Sequence, residues 1–368
     1  MDTLRIALIA PIAGRTGPDS GSSIEQIVSL LTEELMRRGH KVTLFATGDS
    51  QASAPLHAVY ARGYKDDPML WNNYEFHEVV HVAAAFERAW EFDVIHSHAY
   101  HYALPFTRLV PTPIVHTYHI NPNSDILRSY TRYPEAQVVA VSQYHRSKFK
   151  SLANVSVIYN GIDTAAFPFR SQLSWKLPHR DGNRPPQDAR RAVDGEFPQG
   201  DYLVFLGHLN AQKGAVEAIK IAQKVGMRLI MAGQGQGEYF ETEVAPLING
   251  RIEYIGPVGV EKRNELLAGA AALLFPINYS EAFGMVLIEA MACGTPVVAS
   301  DRCAVPEIVE PGVTGYYAPD VDALAACFPD VLALDRNRVR QAVVARFDYH
   351  RMVDEYEALY RRLLEVRR

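Results

Sequence analysis

Two carboxylates, Glu281 and Glu289, stand eight positions apart in Glu-Ala-Phe-Gly-Met-Val-Leu-Ile-Glu, inside a stretch that stays apolar as far as Ser300. Charge placed this way needs a polar partner or a solvated cleft. Such a pair invites an acid/base reading, and it can equally serve by accepting hydrogen bonds from the hydroxyls of a ligand. The step from Phe283 to Gly284 between them reads as the start of a helix. Its unpaired N–H groups and positive dipole end suit phosphate or sugar oxygens, and Gly284 admits a ligand close to the backbone. Glu281 then lies before the helix, with Glu289 about two turns in, roughly 12 Å further by helical rise. Taken alone, the segment reads first as a surface helix with two solvated carboxylates.

Three other groupings could carry chemistry. Gly-His-Leu-Asn-Ala-Gln-Lys-Gly at 207–214 sets Lys213 and His208 in a loop directly after an apolar run, where a cation can meet an anion. His-Ser-His-Ala-Tyr-His at 96–101 places His96 and His98 on one face of a strand, a spacing some zinc hydrolases use. No carboxylate ligand set accompanies them beyond the nearby Asp93, so a metal is not expected. Ser-Gln-Tyr-His-Arg-Ser-Lys-Phe-Lys at 142–150 mixes basic and aromatic residues on an expected helix. It reads first as a solvated face and second as a peripheral contact with an anionic membrane or a phosphorylated acceptor.

The elements that must position these residues alternate along the chain. An apolar run at 4–10 meets Pro11 and a Gly-rich loop, then a helical pattern of Ile24, Ile27, Val28, Leu31 and Leu35 closed by Gly39, then a strand at 41–46. That order is the unit of a parallel α/β sheet. Further strands are expected at 94–96, 114–117, 138–141 and 155–158. Residues 169–201 lose apolar periodicity and read as a linker or mobile loop. A second series follows, with strands at 202–206, 228–232, 252–255, 272–275 and 296–299 and helices at 215–225 and 261–268. Met352, Tyr356, Leu359, Tyr360 and Leu363 mark a last helix over 349–368. The expected fold is therefore α/β, two Rossmann-like domains facing a cleft: residues 1–168, a linker or insertion at 169–200, and residues 201–348.

Composition narrows the function classes. With 368 residues the chain exceeds one ordinary core, and 48% hydrophobic with 21% charged residues is globular. A net charge of -5 gives no reason to expect nucleic acid as a partner. No apolar run approaches the length of a membrane span, and Arg5 interrupts the pattern a signal peptide would need. Cys293, Cys303 and Cys327 lack metal-ligand spacing and are too few for a disulfide framework. A cytoplasmic location is expected, with peripheral contact at the inner membrane face as its variant.

Glu281 to Glu289, with the Lys213–Gly214 loop and Asn-Gly-Ile-Asp at 160–163 in this order, resembles the E-x7-E signature of the retaining glycosyltransferases of family 4, which have the GT-B fold. The resemblance covers the chain apart from 170–200. It implies a first half that binds the acceptor and a second that binds the donor, with the helix at 349–368 packing back onto the first. It implies a nucleotide-diphosphate sugar as donor substrate, with UDP or GDP expected, and no cofactor or metal. The acceptor would be a carbohydrate, a lipid-linked molecule or a small molecule.

By the same resemblance Lys213 neutralises the donor diphosphate, Glu281 accepts hydrogen bonds from sugar hydroxyls, and Glu289 does so from the ribose. His119, at the end of Val-His-Thr-Tyr-His, matches a histidine near the transferred sugar. Gly233, Val258, Phe283, Gly284, Met285 and Val286 are carried over as donor-binding positions, and Gly21 stands where the family has a Gly-Gly pair. His208 departs from the pattern, because the family has arginine there, which is always charged and binds with two donors. Glu307 also matches a family position, and a carboxylate at a helix start explains it equally well. Asn160-Gly161 reads as a structural turn. A GT-B epimerase or phosphorylase, or a non-catalytic sugar-nucleotide binder, stays open as the alternative.

Overall fold

The computed structural model describes residues 2–173 and 200–366. Most of the expected linker, residues 174–199, lies outside the described residues. Contacts divide the chain into two units. One contains the residues up to Asp163, Glu281–Met285, and the chain from Phe347 onward; the other contains Thr164–Ser280 and Val286–Arg346.

Runs that are apolar on both faces can only be central strands of a covered parallel sheet. The strands of the first unit are β1 (Arg5–Ile9), β2 (Lys41–Phe45), β3 (Leu56–His57), β4 (Val94–Ser97), β5 (Ile114–Tyr118), β6 (Gln137–Ala140) and β7 (Val155–Val157), of which β3 and β7 lie at the edges and are not buried. They form one parallel sheet in the order β3-β2-β1-β4-β5-β6-β7. Helix Ser23–Arg37 lays Ile27, Val28, Leu31 and Leu35 against Ile6 and Leu8.

Helix Tyr349–Glu365 packs on the same cluster through Met352, Val353, Tyr356, Leu359 and Tyr360. Its entry is pinned where Ile162 N–H donates to Phe347 C=O and Tyr349 N–H donates to Ile162 C=O, both at 3.0 Å. Gly161 is needed at that crossing for space, since a Cβ there would stand 2.6 Å from Tyr349 Cα. Its N–H goes to Met352 Sδ at 3.3 Å and residues 160–161 form no turn, so the turn reading of Asn160-Gly161 is corrected. The glycine admits the returning chain.

The second unit repeats the design with β8 (Tyr202–Leu206), β9 (Arg228–Ala232), β10 (Ile252–Tyr254), β11 (Ala272–Phe275), β12 (Val297–Ser300) and β13 (Gly315–Ala318). The order is β10-β9-β8-β11-β12-β13, again parallel. The buried Arg336 ties the elements beneath it. Its guanidinium donates to the carbonyls of Ala268, Ala270 and Cys293, and to Thr295 Oγ1, at 2.8–3.3 Å. That full set of acceptors offsets the cost of burying a cation.

Residues 281–285 pack with the first unit, although sequence order assigns them to the second domain. Ser142 Oγ donates to Ala282 C=O at 2.6 Å. The Phe283 ring sits 6.2 Å from Tyr159 and 5.9 Å from Phe347, and Met285 rests on the first core.

Candidate functional site

In a doubly wound sheet the strand order reverses at one point, and the loops that leave there on opposite sides open a crevice beyond the strand ends. In the second sheet that point lies between β8 and β11. Lys213, in the loop after β8, donates from its ammonium to the hydroxyl of Tyr279, in the loop after β11. The same ammonium lies 4.7 Å from the centre of the Tyr279 ring. Asn210 Oδ1 accepts the Lys213 N–H at 2.8 Å, which fixes the turn that presents the side chain.

Two glycines let the surrounding backbones meet. Gly214, at φ +76°, opens helix Ala215–Val225, and a Cβ there would fall 1.9 Å from the Pro276 carbonyl oxygen. A Cβ on Gly233, at φ +137°, would fall 1.9 Å from the Gly207 carbonyl oxygen. Gly207 itself has φ +151°. The loops after β8 and β9 therefore touch backbone to backbone, and the Tyr254 hydroxyl closes the contact by donating to Gly233 C=O at 3.0 Å. His208 is exposed on this loop, and its carbonyl accepts the Asn210 N–H at 2.9 Å. Lys213, His208 and Gly233 thus gather at one end of the second sheet.

Val258 is half-buried in the segment before helix Val260–Gly269. Arg263 on that helix reaches the buried Glu289 at 3.5 Å. Burial holds the Glu289 carboxyl above the usual carboxylate range, and the Arg263 charge opposes that shift. The helix carrying Glu289 runs Met285–Ala292, with Met285 and Val286 half-buried at its start and Gly284 at φ +96° before it. Glu289 is its fifth residue, little more than one turn in and about 6 Å along the axis by helical rise. The expected two turns are corrected, because residues 281–284 are not helical.

The first sheet reverses between β1 and β4. Two buried carboxylates sit beneath the loop after β1. Glu78 Oε1 accepts the Ile12 N–H at 3.0 Å, and burial pushes the Glu78 carboxyl up to about 8. Glu25 accepts from the Ser22 hydroxyl and is likewise raised by burial. Gly21, on this loop, has open space where a Cβ would stand, so packing does not require glycine there.

The histidines at the other side of the reversal are arranged differently from a metal site. His96 spends both ring nitrogens on side chains, Nδ1 with the Tyr360 hydroxyl at 2.6 Å and Nε2 with Thr117 Oγ1 at 2.7 Å. His98 Nδ1 instead meets His119 Nε2 at 2.9 Å, the rings stacked with centres 5.1 Å apart. Burial keeps both imidazoles neutral, His98 well below the usual range and His119 down to about 3. Among the described residues no group of three or more His, Cys, Asp or Glu could hold a metal ion.

At 142–150 a short helix, Gln143–Arg146, passes into a turn at Ser147–Phe149 that buries His145 and Phe149. Lys148 lies over the Tyr144 ring at 4.3 Å. No helix among the described residues is long and apolar enough to cross a membrane.

Within the second unit the structure gathers Lys213, His208 and Gly233, and it links Glu289 to Arg263. Glu281, Phe283, Gly284 and Met285 belong with the first unit, as do His119 and Gly21. Sequence reasoning missed Tyr279, Arg263, Asn210 and Glu78. Of these, Asn210 carried a usable signal, an Asn three residues before the Lys whose N–H it accepts.

Comparisons with known proteins match both halves of the chain. Residues 24–166 match the family model described as Glycosyltransferase Family 4, and residues 200–333 match the one described as Glycosyl transferases group 1. A phosphatidyl-myo-inositol mannosyltransferase of Mycobacterium tuberculosis is 24% identical over 97% of this chain and 96% of its own length. The crystal structure of AviGT4, a glycosyltransferase involved in avilamycin A biosynthesis, superposes with a TM-score of 0.72 at 24% identity, covering 98% of each chain. Anabaena Alr3699/HepE, crystallised with UDP and glucose, superposes with a TM-score of 0.68 at 18% identity, covering 97% of this chain and 99% of that one.

Proposed function

We propose, from the premise that this chain is a GT-B glycosyltransferase, that it moves a sugar from a nucleotide-diphosphate sugar to an acceptor hydroxyl, with retention at the anomeric carbon and without a metal. The observation that supports this most is the placing of Lys213 at the strand-order reversal of the second sheet, held by Asn210 and Tyr279 beside the Gly207–Gly233 contact. The glycosyl carbon–oxygen bond to the diphosphate breaks as the acceptor oxygen bonds to the same carbon from the same face. The departing phosphate oxygen takes the acceptor proton. Negative charge grows on the diphosphate throughout, and a fixed ammonium lowers the barrier without reorganising.

Glu289 and its partner Arg263 face the ribose hydroxyls in this reading, while Glu281 and His119 serve the transferred sugar. Phe283, Gly284, Met285, Val286 and Val258 complete the donor contacts. UDP or GDP is the proposed nucleotide; the UDP bound by the Anabaena protein supports the first. The acceptor is a carbohydrate, a lipid-linked molecule or a small molecule, and the mannosyltransferase relative supports an inositol-bearing lipid among these. A lipid acceptor would bring a cytoplasmic protein to the inner membrane face as a peripheral visitor.

A thermal-shift series with UDP-, GDP-, ADP- and dTDP-sugars tests the donor, because a ligand that binds only the folded state stabilises it by RT ln(1 + [L]/Kd). One nucleotide should raise the melting temperature well above the others. His208→Arg should enlarge that shift by supplying a permanent guanidinium at the phosphates. No shift with any nucleotide sugar contradicts the assignment, and an unchanged shift in His208→Arg removes position 208 from the phosphate site.

A further inference from the structure

We infer that His98 is a positioning residue that holds His119 in its Nδ1–H form, so that His119 donates a hydrogen bond to an oxygen of the transferred sugar; this rests on the proposed reading that His119 serves that sugar. Two neutral imidazoles joined by one hydrogen bond share a single proton at the contact. If His98 Nδ1–H donates to His119 Nε2, then His98 Nε2 is bare and His119 Nδ1 carries a proton. If His119 donates, the two ends exchange roles. His98 Nε2 and His119 Nδ1 are both buried and without hydrogen-bond partners in the structure. Either arrangement therefore leaves one N–H and one lone pair unmet, and the question is where the N–H sits.

An orphaned buried N–H is the rarer and costlier of the two. At His98 it would stay unmet, because that side chain is fully buried, with the His96 ring centre 4.1 Å away and both His96 nitrogens already spent. His119 is partly exposed, one residue beyond the end of β5. Its Nδ1 is itself shielded in the unliganded structure, so an N–H placed there, at the strand end rather than in the core, is met only when a binding sugar brings an oxygen to it. The backbone fixes the pair in turn: His98 N–H donates to Ile9 C=O at 2.9 Å, and the β4–β5 register sets Ser97 opposite His116. The two histidines thus face each other from the ends of the neighbouring strands β4 and β5, beside the sheet's reversal point.

The test is 15N NMR of the histidine-labelled full chain, which reads which ring nitrogen carries the proton. The wild-type protein should show His119 protonated at Nδ1, and His119 protonated at Nε2 overturns the proposal without any variant. His98→Phe should shift His119 toward Nε2–H and lower kcat about tenfold, a fraction of what losing a fixed donor outright costs, with the donor KM little changed. His98→Asn, whose amide can donate from near the Nδ1 position, should restore much of both. If His119→Phe abolishes transfer while His98→Phe leaves rate and tautomer unchanged, the positioning role fails and the reading of His119 stands. If His119→Phe transfers normally, the reading of His119 fails.

Discussion

Lys213→Ala should lower sugar transfer at least about tenfold, mainly through kcat. A charge-assisted hydrogen bond contributes roughly 1.5–3 kcal/mol, and more where charge develops only in the transition state. The wild-type ammonium is held in place before any ligand arrives, by Asn210 through the backbone and by Tyr279 through hydroxyl and ring. Removing it leaves the Tyr279 hydroxyl and ring without that cation but opens no core cavity, since Lys213 is only half-buried. Melting of the unliganded protein should therefore change little while the rate falls. Near-normal turnover in steady-state assays would sink the phosphate role.

Gly233→Ala should damage both fold and donor binding. Its φ of +137° lies where a side chain is strained, at a cost of about 1–3 kcal/mol before any clash. The added Cβ would then meet the Gly207 carbonyl oxygen at 1.9 Å. That neighbour is backbone, so no rotamer change relieves it, and the loops after β8 and β9 must part. Parting them moves the base of the Lys213 loop and strains the bond from the Tyr254 hydroxyl to Gly233 C=O. A melting temperature lower by several degrees and a nucleotide-sugar affinity down at least about tenfold are expected, since roughly 1.4 kcal/mol is a factor of ten. An alanine variant with unchanged melting and donor affinity would contradict the close-contact account.

Much of this was readable in the residues because a strand buried on both faces must be apolar throughout. The runs at 4–10, 41–46, 94–96 and 202–206 became β1, β2, β4 and β8 for that reason. Edge strands lack the constraint: Leu56–His57 is two residues long, and Gly315–Ala318 starts on a glycine and is half-buried. That glycine is forced by the fold, since a Cβ would lie 2.1 Å from the Val297 carbonyl oxygen. No local periodicity announces it.

In the site, the loop that carries Lys213 was legible because it follows the apolar run of β8 and is bounded by Gly207 and Gly214. Tyr279 was not, since an aromatic residue in a loop shows no spacing until β8 and β11 lie side by side. Arg263 is hidden the same way, on a helix separated from Glu289 by a strand. His98 was visible only as half of a metal-like pair. Its partner proved to be His119, on the neighbouring strand's end, and adjacency of that kind follows from sheet order.

The most direct measurement is the anomeric configuration of the glycoside formed from a nucleotide sugar in the presence of EDTA, read from the anomeric proton coupling by NMR. The account predicts a product with the same configuration as the donor, formed at an undiminished rate. An inverted product, or turnover that stops until a divalent metal is restored, would contradict it.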